Sequence, residues 1–411
     1  MVDLIVIGGG AAGFFAAITC AEQSDTSVLI LEKSPNLLQK VKISGGGRCN
    51  VTHSCFDARD LSNNYPRGNK SLIGPFNRFG AADTVAWFEG RGVELKTEAD
   101  GRMFPTTDDS QTIIDALMDA AIDAGVQIAT SEGVTSIVRD DEGFAIETDA
   151  GGSYRAASVV MATGGTRSAA GARLAESLGH ELLPATPSLF TFNIVDTRID
   201  GLAGLSVDDV EVQVLGTKLK STGPVLITHW GLSGPGILKI SAWGARELAE
   251  RDYCFEVSLN WLPGHDPATS IASMRASDAR RQLASRSPFP SIPKRLWLRM
   301  LDAADVNDQT TWAELSKKSA NRLKSQLSAS TFDVTGKSTN KAEFVTCGGV
   351  SRDEINFKTM ESKLVDGLYF AGEVIDVDGI TGGFNFQNAW TTGFQAGLAI
   401  SKQSQSQSQI C

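Results

Sequence analysis

Three glycines close to the start of the chain constrain its fold more than any other feature. From Val2 to Lys33 the sequence reads VDLIVIGGGAAGFFAAITCAEQSDTSVLILEK. Leu4 to Ile7 is a short apolar run suited to a buried parallel strand. Gly8, Gly10 and Gly13 then supply G-x-G-x-x-G, with Ala11 and Ala12 between the last two. In that pattern the first glycine permits a tight turn and the second lets backbone approach a pyrophosphate. The third lets helix and strand pack closely. Phe14 to Ala21 predicts a small-residue helix whose N-terminal N–H groups face the phosphates. Ser27 to Leu31 is the next strand. Glu32, followed by Lys33, stands about 20 residues past the turn, where a carboxylate accepts both hydroxyls of a ribose. A lone glycine motif is a weak signal, but here strand, helix, second strand and terminal carboxylate all fall at the required spacing. An acidic tip fits an adenosine with a free 2′-OH, so FAD or NAD rather than NADP.

The 411 residues suggest two or three domains, and 42% hydrophobic with 21% charged residues is an ordinary globular composition. A net charge of −10 argues against nucleic acid or an anionic membrane as a general partner. The N-terminal apolar run lacks a basic region, carries Asp3 and is broken by the glycine turn, so it does not read as a signal peptide. No apolar stretch is long enough to cross a bilayer. Six scattered cysteines without a C-x-x-C pair, and four scattered histidines, supply neither a disulfide framework nor a zinc pattern. A reducing cytoplasm is the expected setting.

The next informative stretch is KVKISGGGRCNVTH, Lys40 to His53. Ser44, Gly45, Gly46, Gly47, Arg48, Cys49 and Asn50 form a loop whose backbone can lie against a flat ligand, at an entropic cost a plain surface loop would not need. Cys49 reads more readily as a packing residue than as a redox thiol, because no partner lies at dithiol spacing. Helical patterns cover Ala82 to Gly92 and Ser110 to Gly125. Val126–Ala129, Gly133–Arg139, Gly143–Asp149 and Ser153–Val160 read as a four-strand meander appended to the first sheet. Ala162, Thr163, Gly164 and Gly165 end that run with small residues, at the crevice where open α/β sheets bind ligands.

Between about Pro187 and Thr339 the character changes. Short β-like pieces occupy 188–262 and 330–339, and a polar helical segment fills 263–329. We expect an inserted β-barrel-like domain with a nested helical subdomain, leaving 1–187 and 340–411 as a split cofactor-binding domain. The helical segment carries Arg280, Arg281, Lys294, Arg295, Arg299, Lys317, Lys318, Arg322 and Lys324. These could meet RNA, but no aromatics interleave them to make a stacking surface, so a solvated face is favoured. His229, in THWGLSGPG, is a candidate acid or base, with a structural role bonding the backbone preferred. Gly367 to Ala371 then predicts a last parallel strand. Gly372, Glu373, Asp376, Gly382, Gly383, Phe384, Asn385, Gln387 and Asn388 follow, before a final helix ending near Ile400. Asp376 and the start of that helix are placed to meet a ribityl chain, a pyrophosphate or the pyrimidine edge of a flavin. The closing SKQSQSQSQIC is polar, of low complexity and expected to be disordered.

ISGGGRCNVT resembles the signature of the BaiN-like (YhiN-like) flavoproteins, also described as aminoacetone-oxidase-like FAD-binding enzymes. The likeness continues through GRMFPTTDDSQTIIDAL (Gly101 to Leu117), THWGLSGPGILKIS (Thr228 to Ser241), VTCGGVSRDEINFKTMESK (Val345 to Lys363) and GLYFAGEVIDVDGITGGFNFQNAWTTG (Gly367 to Gly393). Five segments in the same order are highly specific. Two positions depart from the pattern: His53 stands where Asn is expected, and Asn388 where Trp is frequent. The resemblance implies the same nesting of an insert within the FAD domain. In flavoproteins of this general type the strand beginning at Val134 passes beside the adenine.

Four backbone-rich segments from both ends of the chain suggest a large buried cofactor, which fits FAD better than an exchangeable NAD. The chain has no second G-x-G-x-x-G. Any NADH or NADPH would therefore visit transiently, or the substrate itself would reduce the flavin. The expected fold is α/β: a Rossmann-type FAD-binding domain with a β-meander, the barrel-like insert and its helical subdomain. The expected activity is that of an FAD-dependent oxidoreductase on a small molecule. A small-amine oxidase using O2 is one alternative, and a flavin-carrying RNA-binding or regulatory protein another. His229 and Cys49 are the catalytic candidates; substrate and oligomeric state do not follow from the residues.

Overall fold

The computed structural model describes residues 1–165, 169–338 and 345–408. The chain divides into two compact units, Met1–Pro187 with Lys341–Cys411, and Ser188–Asn340.

In the first unit the strand Val2–Ile7 lies at the centre of a parallel sheet. It pairs with Val28–Glu32 on one side, Leu4 opposite Val28, and with Ser153–Met161 on the other, Val6 opposite Val160. Gln127–Thr130 and Leu368–Phe370 extend the sheet outward, both parallel. Leu4, Ile5, Val6, Val159, Val160 and Leu368 are fully buried. Burial of both faces is why these strands read as continuous apolar runs rather than alternating ones. Two of the covering helices, Ala11–Gln23 and Phe384–Ser408, meet almost backbone to backbone. A Cβ on Gly393 would lie 2.5 Å from the Ala12 carbonyl oxygen, and one on Gly397 2.4 Å from that of Ala16.

Two expectations are corrected by this arrangement. Gln127–Thr130 is not part of the meander: it pairs in parallel with Val28–Glu32. The helix Ser110–Asp123 before it makes the crossover that a parallel neighbour requires. The antiparallel meander consists of Val134–Asp140, Gly143–Thr148 and the first part of Ser153–Met161, with Phe144 opposite Ala156. The polar tail continues the final helix to Ser408, well past Ile400. Beyond Gly397 no glycine or proline interrupts it, and the Tyr369 hydroxyl donates to Gln403 Oε1 at 2.8 Å while Gln405 Nε2 donates to the Gln23 carbonyl at 2.6 Å. Residues 409–411 of that expectation, and the insert boundary at 339–340, lie outside the described residues.

His180, 3% exposed, is wedged in this unit between the Ala175 carbonyl and Ser362 Oγ, 2.8 Å from Nε2. Burial holds its imidazolium pKa below the ordinary value. The unfolded chain therefore binds the extra proton more readily, and stability falls as pH drops through the unfolded value of about 6.5. Urea midpoints measured at pH 7.5 and 5.5 should show this loss in the native protein and a smaller one in His180→Gln. Equal losses would show that His180 is not its source.

The second unit is a closed six-stranded barrel. In order around it run Thr191–Asn193, Gly231–Ser233, Lys220–Thr228, Ser206–Val214, Cys254–Asn260 and Ser330–Ser338. Inward-facing Val210, Val212, Val225, Ile227 and Val257 are fully buried, and closure leaves no open edge. The helices Pro267–Ser277, Lys294–Ala303 and Lys317–Ser328 belong to the same unit, and its core includes Trp297 and Trp312. Several of its basic side chains are engaged within the unit. Arg322 pairs with Asp305, Arg281 with Asp278 and Lys324 with Asp266. Arg295 and Arg299 donate to the carbonyls of Gly201 and Asp200. Among the described residues no helix is long and apolar enough to cross a membrane, and no cluster of side chains could hold a metal ion.

Candidate functional site

The three motif glycines have different neighbours, and these explain why each position needs glycine. Gly8 has φ +114°, and a Cβ there would lie 2.4 Å from the Ala162 carbonyl oxygen at the end of the adjacent strand. A Cβ on Gly13 would lie 2.0 Å from the Gly8 carbonyl oxygen. Both glycines are demanded by the protein's own packing. Gly10, which caps the helix beginning at Ala11 and Ala12, would bring its Cβ within 4 Å of nothing. The first N–H groups of a helix have no partner within the helix, an arrangement suited to a phosphate.

Glu32 closes the turn from the other side. Its carboxylate accepts from the Gly9 N–H at 2.7 Å and the Ser34 N–H at 2.8 Å. The acidic tip is thus held in place by backbone, with Lys33 exposed beside it. Val134 begins its strand two residues after Glu132, whose N–H donates to the Glu32 carbonyl at 2.9 Å, so Val134 lies near the same tip. Ala162 and Thr163 leave the strand beside Gly8. Gly164 has φ +74° with no neighbour within 4 Å, whereas a Cβ on Gly165 would press on Thr346 Oγ1 and Glu373 Oε1, at 2.6 and 2.7 Å. Gly372 meets the first helix, where its Cβ would fall 2.8 Å from Ala12 Cβ.

The glycine triplet is not a simple loop. Residues Gln39–Gly47 start as a helix, which Ser44 breaks at ψ 151°, and Gly45, Gly46, Gly47 and Cys49 then all take positive φ. Gly45 packs under Phe104 and Asn50, while Gly46 and Gly47 face no atom within 4 Å. The Asn50 amide, oriented to satisfy both neighbours, bridges the Thr52 carbonyl and the Gly383 N–H at 3.0 and 2.9 Å. The Trp390 indole donates to the Val51 carbonyl at 2.9 Å. These contacts join the triplet to Gly382, Gly383 and the start of the closing helix. Lys40 ties it to Glu373, and the Leu38 N–H ties it to the Gly9 carbonyl. The four predicted segments therefore converge within one unit.

Several of the side chains expected to touch a cofactor also make polar contacts within the protein. Arg48 lies 4.0 Å from the Phe104 ring centroid and pairs with Glu98 and Asp108 at 2.7 and 3.4 Å. Glu373 is held by Lys40 and by the Thr346 N–H. Gln387 is fully buried. Its Oε1 accepts from Thr52 and Thr84, and its Nε2 donates to Thr391. Asp376 is fully buried and accepts from the Gly348 N–H at 3.1 Å. The Phe384 ring stacks on His53 at 4.8 Å, and Asn385 grips both the N–H and the carbonyl of Gly379. The Asn388 side chain is buried on the same helix.

Of the catalytic candidates, Cys49 is fully buried, and burial pushes its thiol up to about 12. It stays protonated at neutral pH and packs rather than attacks. His229 is exposed at a tight turn of the barrel unit, between Lys220–Thr228 and Gly231–Ser233. Nothing in the sequence pointed to Thr392, whose Oγ1 accepts from the Gly372 N–H at 2.8 Å, or to the buried pair of Arg67 with Asp378. Only the position of Asp378 inside a glycine-rich matched segment hinted at the latter.

The fold and the convergent glycine segments define a Rossmann-type flavoprotein. The chain matches the family described as HI0933-like protein Rossmann domain over residues 2–399, and it belongs to that family. It is 31% identical over 402 residues to a ribosomal RNA dihydrouridine synthase of Escherichia coli, covering 95% of this chain and 96% of that one. It is 29% identical over 418 residues to a 3-dehydro-bile acid delta(4,6)-reductase of Clostridium scindens, covering 97% and 98%. Among solved structures it is similar in fold to a 3-ketosteroid delta1-dehydrogenase from Sterolibacterium denitrificans, with a TM-score of 0.54 at 10% identity, covering 98% of this chain and 99% of that one. A flavocytochrome c3 fumarate reductase gives 0.52 at 17% identity, covering 98% and 78%. The chain is an FAD-dependent oxidoreductase.

Proposed function

We propose that the first unit holds FAD along Gly8–Gly13, Glu32, Gly45–Gly47, Ala162–Gly165 and Gly372–Asn388, and that the protein reduces a carbon–carbon double bond conjugated to a carbonyl. The observation that carries the cofactor assignment is the convergence of these glycine-rich segments in one unit, joined by the Asn50–Gly383, Lys40–Glu373 and Leu38–Gly9 contacts, with open backbone at Gly10, Gly46 and Gly47. A side chain there would fill space that a ligand lying against the backbone needs. The names of two relatives, a dihydrouridine synthase and a delta(4,6)-reductase, both describe reduction of a ring double bond conjugated to a carbonyl.

Bound FAD supplies two-electron hydride chemistry. The chain's part is to bind and orient. N–H groups of the first helix neutralise phosphate charge, Glu32 faces the ribose, and the Asn50–Gly383 bridge fixes the backbone that borders the ring system. NADH or NADPH, visiting transiently, is the proposed reductant.

The test is anaerobic. Flavin bleaching is followed on adding NADH or NADPH, and the reduced protein is then offered a 3-oxo-4-ene steroid or a uridine-containing rRNA fragment. Reoxidation by either, with one saturated product per flavin, is the expected result, and which probe works assigns the substrate class. Bleaching only by an amine, with peroxide formed in air, would replace this reading with an oxidase. Folded protein that takes up no flavin would overturn the cofactor assignment.

A further inference from the structure

In the second unit the helices Pro267–Ser277 and Lys317–Ser328 run antiparallel, tied at both ends. Lys324 pairs with Asp266, the N-cap of the other helix, at 3.3 Å. At the opposite end Arg275 donates to the Leu315 carbonyl, just before Lys317–Ser328 begins. Between the helices lies an open groove of about 310 Å³. Ala268, Ala272 and Arg275 line it from one side, and Lys317, Ala320 and Lys324 from the other. Each trio falls at helical spacing and shares one face. Alanine where the helices meet leaves the cleft unfilled above the buried Ile271.

The charge of this groove is one-sided. Three cations rim it, and among the described residues no carboxylate lines it. Lys317 makes no ion pair, and the Lys324–Asp266 pair is about half exposed, so an incoming anion displaces it at little cost. Residues 263–329 carry eleven Lys and Arg against six Asp and Glu, a net +5 within a chain of −10. The average that argues against nucleic acid as a general partner therefore hides a local exception. Sequence order scatters these cations; the helix pair brings three of them round one cleft.

We propose that this groove binds the phosphate backbone of single-stranded RNA. Roughly 10 Å of helical rise separates Lys317 from Lys324, a separation that matches charges repeated along a chain rather than one isolated phosphate. A cleft between two packed helices admits a strand and excludes a duplex. No aromatic side chain lines it, so the backbone is held and no base is read. Asn321, exposed between the two lysines, offers its amide to a 2′-hydroxyl, the group that distinguishes RNA from DNA. None of the large exposed apolar side chains of the described residues falls between 263 and 329. The face therefore lacks what would insert into a membrane.

The experiment follows binding of a labelled single-stranded RNA of about twelve nucleotides to the full chain across a salt series. Native affinity should fall linearly on logarithmic axes, with a slope steeper than about −2 from three cations. Lys317→Gln with Lys324→Gln should flatten the slope by about 1.4, and lines that converge near 1 M salt put that variant roughly sixtyfold weaker at 50 mM. Arg286→Gln with Lys294→Gln removes the same charge from the same segment but outside the groove, and should stay within about threefold of native. Both variants change exposed side chains, so their melting should match the native protein. Equal losses in the two variants would overturn the groove in favour of a diffuse basic face. Duplex RNA, polyglutamate or anionic vesicles competing as well as single-stranded RNA would overturn the occupant. Native binding that ignores salt would overturn both. The groove lies wholly in the second unit, so failure to take up flavin would leave this test standing and sink only the cofactor assignment.

Discussion

Gly13→Ala is expected to abolish the folded flavoprotein, while Gly10→Ala folds normally and binds FAD poorly. The Gly13 methyl would sit 2.0 Å from the Gly8 carbonyl oxygen, a backbone atom that cannot move aside. Relief requires lifting the first helix off the first strand. A cost above about 4 kcal/mol follows, against a total stability of roughly 5–15 kcal/mol. Gly10 differs on every count. Its φ of −97° and ψ of −172° are ordinary extended backbone, and its methyl would meet no protein atom within 4 Å. Its apo-protein should melt within about 0.5 kcal/mol of the native one. FAD affinity should fall roughly a hundredfold, because the methyl occupies the phosphate's contact distance. Melting of the apo-proteins and flavin titration by fluorescence separate the two. A Gly10→Ala protein as unstable as Gly13→Ala would refute the division of labour.

Arg67→Ala should be the most damaging single change outside the glycine motif. Asp378 is fully buried and Arg67 8% exposed, with both carboxylate oxygens engaged by the guanidinium. Their backbones also form an isolated antiparallel bridge, and a Cβ on the neighbouring Gly68 would lie 2.6 Å from Val377. Removing the cation strands a charge in the interior, at about 3–5 kcal/mol. Arg67→Met combined with Asp378→Leu should recover most of that, since a matched apolar pair carries no desolvation penalty. Urea unfolding of the single and double variants measures the coupling. A double variant no more stable than Arg67→Ala would mean the pair is valued for its geometry and not its charge balance.

What the sequence reveals of this molecule divides along a physical line. Backbone requirements are legible: Gly8, Gly13 and Gly45–Gly47 can be read because only glycine tolerates those torsions or approaches. The buried parallel strands are legible from their unbroken apolar runs. Side-chain commitments are not. Arg48, Glu373 and Gln387 stand in matched motifs, yet their polar groups are taken by Glu98, Lys40 and Thr52, partners that only the tertiary fold brings near. Arg67 and Asp378 are 311 residues apart, and only Asp378 stands in a matched segment. The meander has one strand fewer than its sequence suggests, because a short strand does not say whether its neighbour arrives by hairpin or by crossover helix. The Ser-Gln tail is helical against expectation because composition alone ignores the docking of Gln403 and Gln405.

The interlocked first and last helices carry a consequence for how the polypeptide is made. During synthesis the strands between Thr191 and Ser338 emerge together, so the barrel has all its pieces while later residues are still being added. The N-terminal half of the other unit emerges earlier still but must wait. The free edge of Ser153–Met161 and the apolar flank of Ala11–Gln23 find their partners only when Leu368–Phe370 and the final helix leave the ribosome. For that interval the nascent chain displays an unpaired strand edge beside a bare hydrophobic face, the combination most prone to aggregation. Yield in the cell should therefore depend on whatever shields the chain during that delay more than on the final stability of the protein.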